Sequence, residues 1–367
     1  MAGSGTAIVE AIILARKGVG LDLDPLAVKI VTAKTEHIDG ETALLCAEVI
    51  ADRARMAAKD RSLFRLEEFY RSTYDATAHD FFQYWFLEDT IWELAALVQS
   101  IRHACPTELQ TLFQVIFSSV IIAKSGGVSL ARDLAHSRPH KDESKKIPSA
   151  TELFWDRARR IISSVSGLPP TGLASLVAVA DCRSIPLSRN AVDLVVTSPP
   201  YANAIDYVRA HKFSLIWLGF SPKALSSRRR QYVGAEVGED KADIQSGLAL
   251  RTIEDVSEVD PRRGRILRRY FSDMRRALSE MHRVLRPGKA TVVVVGSSTI
   301  RGIKVRTPYA LAEEAASLGF EVVDVKERPI DRDHRQMPVS RNGNGAGIEA
   351  RMHEEHVIGL LKPIAAD

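Results

Sequence analysis

The segment 192–201, Val-Asp-Leu-Val-Val-Thr-Ser-Pro-Pro-Tyr, constrains the fold more than any other part of the chain. Its apolar start predicts a buried β-strand, and two consecutive prolines cannot continue the hydrogen-bond ladder of a sheet. The chain must therefore leave the sheet after Thr197, at the carboxyl edge where open α/β sheets bind ligands. Proline donates no backbone hydrogen bond, so the carbonyls of Ser198 and Pro199 can accept hydrogens from an amino group, while Tyr201 can stack on a planar ring.

A second ligand-binding signal lies near the amino end of the chain. Gly3-Ser4-Gly5-Thr6 precedes a predicted helix, where small residues let the backbone approach a ligand. A short apolar strand follows and ends at Asp22, a residue type that accepts hydrogen bonds from ribose hydroxyls in nucleotide-binding βαβ units. Each feature has a simpler alternative, a tight turn for the glycines and a helix cap for Asp22, although Asp24 could supply that cap instead.

The pattern of apolar residues divides the chain into two regions. Residues 1–35 and 167–367 alternate between strand and helix, whereas residues 36–166 contain long helical stretches without strand-like alternation. This arrangement predicts an α/β fold interrupted by a large helical insertion. Residues 221–262 are weakly patterned, and the polar, basic stretch 137–146 predicts a surface loop.

Specific elements follow from the same patterns. Strands are predicted at Gly18 to Leu21, Ser175 to Ala180, Asp193 to Val196, Ala290 to Val295, Phe320 to Lys326 and His356 to Leu361, and helices at Ala7 to Arg16, Thr90 to His103, Tyr207 to Leu218, Arg263 to Leu285 and Pro308 to Leu318. The aromatic residues Phe81, Phe82, Trp85 and Phe86 are too apolar to leave in water and are predicted to be mostly core.

Composition narrows the class of protein only partly. The 367 residues carry a net charge of +4, so the charge alone does not indicate a nucleic-acid partner. Three widely spaced cysteines, Cys46, Cys105 and Cys182, show neither zinc-ligand spacing nor a disulfide framework, which favours a reducing cytoplasm and no bound metal. The apolar runs are shorter than the roughly 20 residues that span a bilayer, so we expect a cytoplasmic protein without a membrane partner.

Together these segments resemble the amino-methylating DNA methyltransferases, specifically those with a Ser-Pro-Pro-Tyr catalytic motif. The resemblance rests on the segments 2–11, 20–27, 197–201 and 285–289, and on Asp181 after its strand, and covers about half of the chain. It implies a Rossmann-like class I methyltransferase fold with a mixed sheet, an S-adenosyl-L-methionine cofactor and a double-stranded DNA substrate.

The resemblance also implies roles for single residues. Gly3, Ser4, Gly5 and Thr6 would border the methionine part of the cofactor, Asp22 would hold its ribose and Asp181 would meet the adenine amino group. Thr197, Ser198, Pro199, Pro200 and Tyr201 would form the catalytic loop. In this family Ser-Pro-Pro-Tyr favours the N4 atom of cytosine, whereas Asp-Pro-Pro-Tyr or Asn-Pro-Pro-Tyr favours the N6 atom of adenine.

Several readings of the function stay open. N4-cytosine methylation of DNA is the leading one, followed by N6-adenine methylation of DNA or amino methylation of RNA, because the loop recognises an amino group on a planar ring. A C5-cytosine enzyme would require a nucleophilic cysteine on the catalytic loop, and no cysteine adjoins this motif. A catalytically silent remnant that binds DNA or a partner is the alternative from another class.

Contacts to DNA are predicted from basic residues in polar stretches. The candidates are Arg138, Lys141, His211, Lys212, Arg228, Arg229 and Arg230, with His140, Lys145 and Lys146 in the first of these stretches. The helical insertion as a whole is assigned to DNA recognition, although a solvated charge run is an alternative for any single cluster.

One departure from the resembling family concerns the start of the sheet. In that family an apolar strand leads into the Ala-Gly-Ser-Gly-Thr segment, whereas here Met1 and Ala2 precede Gly3. We therefore expect the sheet to lack its first N-terminal strand, which would leave backbone groups unpaired. A misassigned start, a fragment or a gene split would explain this, with the missing segment supplied by another chain, and a cognate restriction enzyme could accompany the protein.

Overall fold

The computed structural model of the chain describes residues 1–123, 127–132, 139–167, 175–202, 207–235, 243–331 and 354–364. The α-helices are α1 (Thr6–Ile13), α2 (Pro25–Thr35), α3 (Gly40–Lys59), α4 (Leu66–Thr73), α5 (Ala76–Trp85), α6 (Glu88–Ala104), α7 (Thr107–Ile121), α8 (Ala150–Val165), α9 (Tyr207–Trp217), α10 (Pro222–Arg229), α11 (Gly247–Val259), α12 (Pro261–Val284) and α13 (Thr307–Ser317), with a 3-10 turn at Leu63–Arg65. Within the described ranges, no helix is both long and apolar enough to cross a membrane.

In the described ranges the strands form four sheets. In chain order they are β1 (Val19–Asp22), β2 (Ala131–Arg132), β3 (His140–Lys141), β4 (Leu176–Val179), β5 (Val192–Thr197), β6 (Leu285–Val295), β7 (Ser298–Ile300), β8 (Ile303–Val305), β9 (Glu321–Pro329) and β10 (Glu354–Leu361). The main sheet has the order β5-β6-β10-β9, with β5 and β6 parallel and the other pairs antiparallel. A second ladder pairs β1 with β4 in parallel, and the prediction of a mixed α/β architecture is confirmed.

One face of the main sheet packs against α12. This helix begins at Pro261, where the Asp260 side chain accepts a hydrogen bond of 3.1 Å from the amide of Arg263. Its apolar residues recur at helical spacing and meet alternate residues of the strands, as the two periodicities require. The core formed in this way is called the second core, because the helical region contains a larger one. It contains Leu267, Phe271, Met274 and Leu278 from α12, Val293 and Val295 from β6, and Ile358 and Leu360 from β10.

The helical region has its own, larger core. The buried face of α3 is made of small residues with a single Ile50, which allows the close contact with α6. Phe82 of α5 is fully buried and stacks on Trp217 of α9 at 3.7 Å between ring centroids, and the Tyr74 hydroxyl donates to the Trp217 carbonyl over 2.8 Å. The aromatic cluster is thus core, as predicted, and α9 belongs to the same core although it lies outside residues 36–166.

The amino end of the chain lies between β1 and β5. The Met1 ammonium and the Ala2 amide donate to the carbonyl of Leu21 in β1, over 2.5 and 2.9 Å, and the Thr197 hydroxyl at the end of β5 donates to the Met1 carbonyl over 3.1 Å. Among the described residues no strand pairs with the facing edges of β1 and β5. Leu194 and Val196 of β5 are 51% and 45% exposed. Met1 therefore joins the carboxyl end of β1, in the β1–β4 ladder, to the carboxyl end of β5, in the main sheet.

Three sequence expectations need correction. The weakly patterned residues 221–262 contain α10, which buries only Leu225, and α11, whose buried Ala249, Thr252, Ile253 and Val256 recur at a helical spacing that the sequence analysis missed. Strand β6 begins at Leu285, five residues before the predicted start, because Leu285 pairs with Val192 of β5 and the Gly288 amide donates to the Lys362 carbonyl beyond β10. The predicted loop 137–146 contains β3, which pairs with β2.

Candidate active site

The glycine segment leads directly into α1. Gly5 caps the helix with φ of 82°, and a Cβ at this position would lie 2.9 Å from a methyl of Val31 in α2. Gly3 also has a positive φ, 54°, and the position of a Cβ there has no atom within 4 Å. Glycine is therefore required at residue 5 for conformation and packing, whereas the backbone at Gly3 is open to an approaching molecule.

The exposed side chains of Ser4 and Thr6 flank the buried Gly5. The Ser4 carbonyl accepts a hydrogen bond of 2.8 Å from the Lys34 ammonium of α2. The two hydroxyl oxygens lie 3.3 Å apart. The loop is thus tied to α2 on one side and presents hydroxyl groups on the other.

Asp22 lies at the carboxyl end of β1. Its Oδ2 accepts from the Gly3 amide and its Oδ1 from the Asp24 amide, each over 2.9 Å. A carboxylate offers about four acceptor positions, so capacity remains for two hydroxyl donors. The arrangement fits a ribose diol, and the carboxylate simultaneously holds the glycine segment in place.

Asp24, rather than Asp22, caps α2. Its Oδ1 accepts from the Leu26 amide over 2.8 Å, and Pro25 occupies the first helical position. Its Oδ2 lies 2.5 Å from Nδ1 of His211 in α9. Burial opposes ionisation, but the hydrogen bond and charge of His211, with the two backbone amides, hold the pKa of the Asp24 carboxyl below its usual value.

Asp181 follows β4 and is engaged by Arg183, a residue that the sequence analysis did not single out. Both Asp181 oxygens accept hydrogens from the guanidinium, over 2.7 to 3.1 Å. Arg183 also donates to Asp273 of α12 over 2.6 Å. Burial opposes ionisation, but Arg183 holds the pKa of the Asp181 carboxyl below its usual value. An adenine amino group would share this carboxylate with Arg183.

The Ser-Pro-Pro-Tyr segment leaves the sheet as predicted. Thr197 and Pro199 are buried, Ser198 is exposed, and Pro200 is half-buried at the end of β5. The Tyr201 ring packs against the second core, and its hydroxyl donates to Oε2 of Glu355 in β10 over 3.2 Å. Glu355 is also paired with Arg328 of β9. The segment is thus anchored on both sides of the exposed Ser198.

The three cysteines are free and Cys182 lies beside Asp181. Burial raises the pKa of the Cys182 thiol to about 11, so this residue stays protonated at neutral pH. In the part of the chain that the structure covers, no cluster of three or more His, Cys, Asp or Glu side chains could hold a metal ion.

The residues predicted to contact DNA occupy different environments. Arg228 of α10 donates to the Leu23 carbonyl over 3.3 Å, so both His211 and Arg228 contact the loop after β1. Lys212 and Arg229 line a cleft between α5, α9 and α10 that also includes Phe81. Arg230 is exposed, and Arg138 lies outside the described residues.

The basic stretch near β3 is more structured than predicted. Lys141 pairs with Glu143 over 2.8 Å and lies above the Tyr84 ring. The Lys145 ammonium donates to the carbonyls of Gly127 and Ser129, each over 2.7 Å. The Lys145 ammonium thus ties this stretch to residues 127–129, and its contact with a DNA phosphate stays a prediction.

Comparison with known proteins finds relatives that are Type II methyltransferases. The chain is 23% identical over 332 residues to the Type II methyltransferase M.MvaI of Kocuria varians, an alignment that covers 85% of this chain and 72% of the relative. The resemblance to DNA methyltransferases is confirmed. The Type II methyltransferase M.AvaI of Nostoc sp. strain PCC 7120 is 24% identical over 170 residues, which is 41% of this chain and 35% of that methyltransferase. No family model matches the chain.

Solved structures with similarity are proposed DNA modification methylases from Thermus thermophilus. The one complexed with S-adenosyl-L-methionine is 19% identical and covers 52% of this chain and 56% of its own, with a TM-score of 0.26. A second is 18% identical, covers 52% of this chain and 54% of its own, and has a TM-score of 0.27. The present chain thus spans about half the length of these structures.

Proposed function

We propose that the protein is a cytoplasmic, S-adenosyl-L-methionine-dependent DNA methyltransferase that methylates the exocyclic N4 amino group of a flipped cytosine. The observation that supports this most directly is the hydrogen bond of 3.1 Å between the Thr197 hydroxyl and the Met1 carbonyl. It joins the Ser-Pro-Pro-Tyr segment to the glycine segment across 196 positions of sequence. A methyl donor held at one segment would therefore adjoin an acceptor held at the other.

The cofactor would be held by residues at the ends of β1 and β4. Gly3, Ser4, Gly5 and Thr6 would border its methionine part, Asp22 would accept hydrogen bonds from its ribose, and Asp181 would meet its adenine. The open space at Gly3 and the remaining acceptor capacity of Asp22 both fit this assignment. When bound, the cofactor supplies an electrophilic methyl group.

The chain's own contribution to the reaction would be to bind and orient the amino group. An exocyclic amino nitrogen delocalises its lone pair into the ring and is a poor nucleophile. Oxygens that accept its hydrogens would favour tetrahedral geometry and expose the lone pair, and the exposed Ser198 hydroxyl and the carbonyls of Ser198 and Pro199 would supply them. Tyr201 would stack on the base. Because the amino nitrogen would itself attack the methyl group, a covalent cysteine intermediate is not needed in this scheme.

Double-stranded DNA would be contacted mainly by the helical region, residues 36–166, and by α9 and α10. The remaining parts of residues 1–35 and 167–367 would bind the cofactor and carry out catalysis. The exposed Arg230 and the cleft with Lys212 and Arg229 supply positive charge on the side of α9 and α10. Arg138 and Lys141 belong to a second basic stretch. As a DNA modification enzyme it could protect a genome from a cognate restriction enzyme.

Two alternatives are distinguished by product and substrate. N6-adenine methylation of DNA, or amino methylation of RNA, would use the same loop on another ring. A catalytically silent remnant would bind DNA or a partner without transferring methyl groups. The test is transfer of a labelled methyl group from S-adenosyl-L-methionine to a random-sequence duplex, with single-stranded RNA of the same length and Ser198→Ala protein as controls. Incorporation of the labelled methyl group into RNA alone would contradict the proposal. So would the absence of incorporation into either nucleic acid by a protein that binds the cofactor.

We also propose that a parallel β-strand supplied by another chain fills the space between β1 and β5. The supporting observations are the unpaired facing edges of these two strands in the described structure and the exposed Leu194 and Val196 beside them. Strand edges without a neighbouring strand leave backbone N–H and C=O groups unpaired, which favours the addition of a strand between them. Met1 and Ala2 mark the carboxyl end of this space.

Hydrogen exchange tests the strand proposal with designed peptides. An eight-residue peptide of alternating valine and threonine, added in solution or fused before Met1, should slow amide exchange in β1 and β5. The same peptide with two central prolines is the control, because proline cannot complete the ladder. If neither the added nor the fused valine-threonine peptide slows amide exchange in β1 and β5, the proposal is contradicted.

A further inference from the structure

The loop that follows β1 is held by two helices from the other half of the chain. Nδ1 of His211 in α9 lies 2.5 Å from Oδ2 of Asp24, across 187 positions of sequence. The Arg228 guanidinium of α10 donates to the Leu23 carbonyl over 3.3 Å. Two successive residues of this loop thus contact elements that come after the Ser-Pro-Pro-Tyr segment.

The same loop holds the carboxylate assigned to the ribose. The Asp24 amide donates to Oδ1 of Asp22, and Oδ2 of Asp22 accepts from the Gly3 amide, each over 2.9 Å. A continuous series of hydrogen bonds therefore runs from Gly3 through Asp22 and Asp24 to His211. Movement at one end of this series changes the contacts available at the other.

The contact between Asp24 and His211 is sheltered from solvent. Asp24 is only 4% exposed, and the side chain of His211 is 19% exposed. Electrostatic contacts are stronger in such surroundings than on an open surface. Removing the partner of a buried carboxylate therefore strongly destabilises the folded protein. The pair of Asp24 and His211 therefore connects the loop after β1 firmly to α9.

Helix α9 continues this connection into the helical region. Three residues after His211, the fully buried Ser214 lies 2.9 Å from the hydroxyl of Ser118 in α7. Trp217 at its end stacks on Phe82 of α5. Helix α9 thus contacts the loop after β1 through His211 and packs through Ser214 and Trp217 against the helices to which we assign DNA binding.

We infer that His211 is a positioning residue that couples occupation of the cofactor site to DNA binding. Cofactor bound at Asp22 would fix the loop, and the pair between Asp24 and His211 would transmit this to α9 and the helical region. The inference rests on the proposed function, and it assigns to His211 a role through Asp24 rather than the direct DNA contact expected from sequence.

The test compares DNA affinity without and with saturating S-adenosyl-L-homocysteine. For the wild type we expect DNA to bind at least about fivefold more tightly with this cofactor product, within the range that coupled sites show. In His211→Ala and Asp24→Asn the ratio should fall toward one. His211→Gln, which keeps a hydrogen-bond donor, should restore part of it. The affinity for S-adenosyl-L-homocysteine should depend on DNA by the same factor in each protein, since coupling is reciprocal.

Ser246→Ala is the matched control, because it removes a buried hydroxyl that contacts Glu313 and caps α11, whose apolar residues belong to the core that does not include α9. It should lower the melting temperature and leave the affinity ratio at the wild-type value. A ratio that is one in the wild type, or equal in the wild type and a folded His211→Ala protein, would overturn the inference. Failure of the wild type to bind either ligand would instead overturn the proposed function.

Discussion

The hydroxyl of Thr197 donates a hydrogen bond of 3.1 Å to the carbonyl of Met1. Thr197 ends the strand that leads into Ser-Pro-Pro-Tyr, and Met1 directly precedes the glycine segment, so two parts of the chain that are far apart in sequence share one edge of the structure. This relationship allows donor and acceptor of a methyl group to be held side by side, and several measurable consequences follow from the contacts around it.

Replacing both Ser198 and Tyr201 with alanine should lower methyl transfer by orders of magnitude while cofactor affinity changes little, because both residues act on the base. Single-turnover methylation and calorimetry measure the two effects. Tyr201→Phe is the control, since it removes only the hydroxyl that contacts Glu355 and keeps the ring. A double variant as fast as the wild type would remove these residues from the active site.

Asp22→Ala should weaken cofactor binding by about 1.5–3 kcal/mol for each charge-assisted hydrogen bond to a ribose hydroxyl that the variant can no longer make. Asp193→Ala is the control, because Asp193 is an exposed carboxylate of β5 that pairs with Arg286. Calorimetry with S-adenosyl-L-methionine gives both affinities. If Asp22→Ala binds as tightly as Asp193→Ala, Asp22 only supports the glycine segment.

Arg183→Ala should reduce the free energy of unfolding by about 3–5 kcal/mol, because it leaves the buried Asp273 and the partly buried Asp181 without their partner. The matched control is Arg286→Ala, whose ion pair with Asp193 is about half exposed and should contribute less than about 1 kcal/mol. Urea denaturation measures both variants. Equal losses would mean that the Arg183 network adds no more than a surface pair.

The Asp24 carboxyl should make stability depend on acid. Its pKa is lowered in the folded protein, so its stabilisation is complete above the ordinary value of 3.8 and is lost as the pH falls through the lowered value. The difference in unfolding free energy between the wild type and Asp24→Asn should therefore shrink as the pH falls from about 5 to about 2. A difference that is constant over this range would show that Asp24 is not stabilised by ionisation.

Neutralising the basic stretch near β3 should flatten the salt dependence of DNA binding by about 0.9 for each phosphate that the variant no longer neutralises. Alanine is introduced at Arg138, His140, Lys141 and Lys146, and Lys145 is kept because its ammonium closes the loop on Gly127 and Ser129. A triple alanine variant of Arg228, Arg229 and Arg230 provides the comparison. Parallel salt slopes for the wild type and the first variant would exclude this stretch from the DNA interface.

Sequence reasoning succeeded where the information is local. Two prolines end β5 whatever surrounds them, and the apolar residues of α12 recur at helical spacing, so the strand, the helix and the glycine segment were predictable. The side-chain partners were not. Arg183 meets Asp273 across 90 positions of sequence and His211 meets Asp24 across 187, and no local pattern encodes such contacts. Basic residues likewise looked equivalent, although Lys145 is structural and Arg230 is exposed.

The identity of the methylated nucleoside tests the central claim most directly. Duplex DNA is incubated with the protein and S-adenosyl-L-methionine, digested to nucleosides and analysed by mass spectrometry against authentic standards, with Ser198→Ala protein in parallel. We predict N4-methylcytosine from the wild type and much less from the variant. Formation of C5-methylcytosine, which requires a cysteine nucleophile, or equal yields from the two proteins, would contradict the assignment of the Ser-Pro-Pro-Tyr segment as the site that methylates an exocyclic amino group.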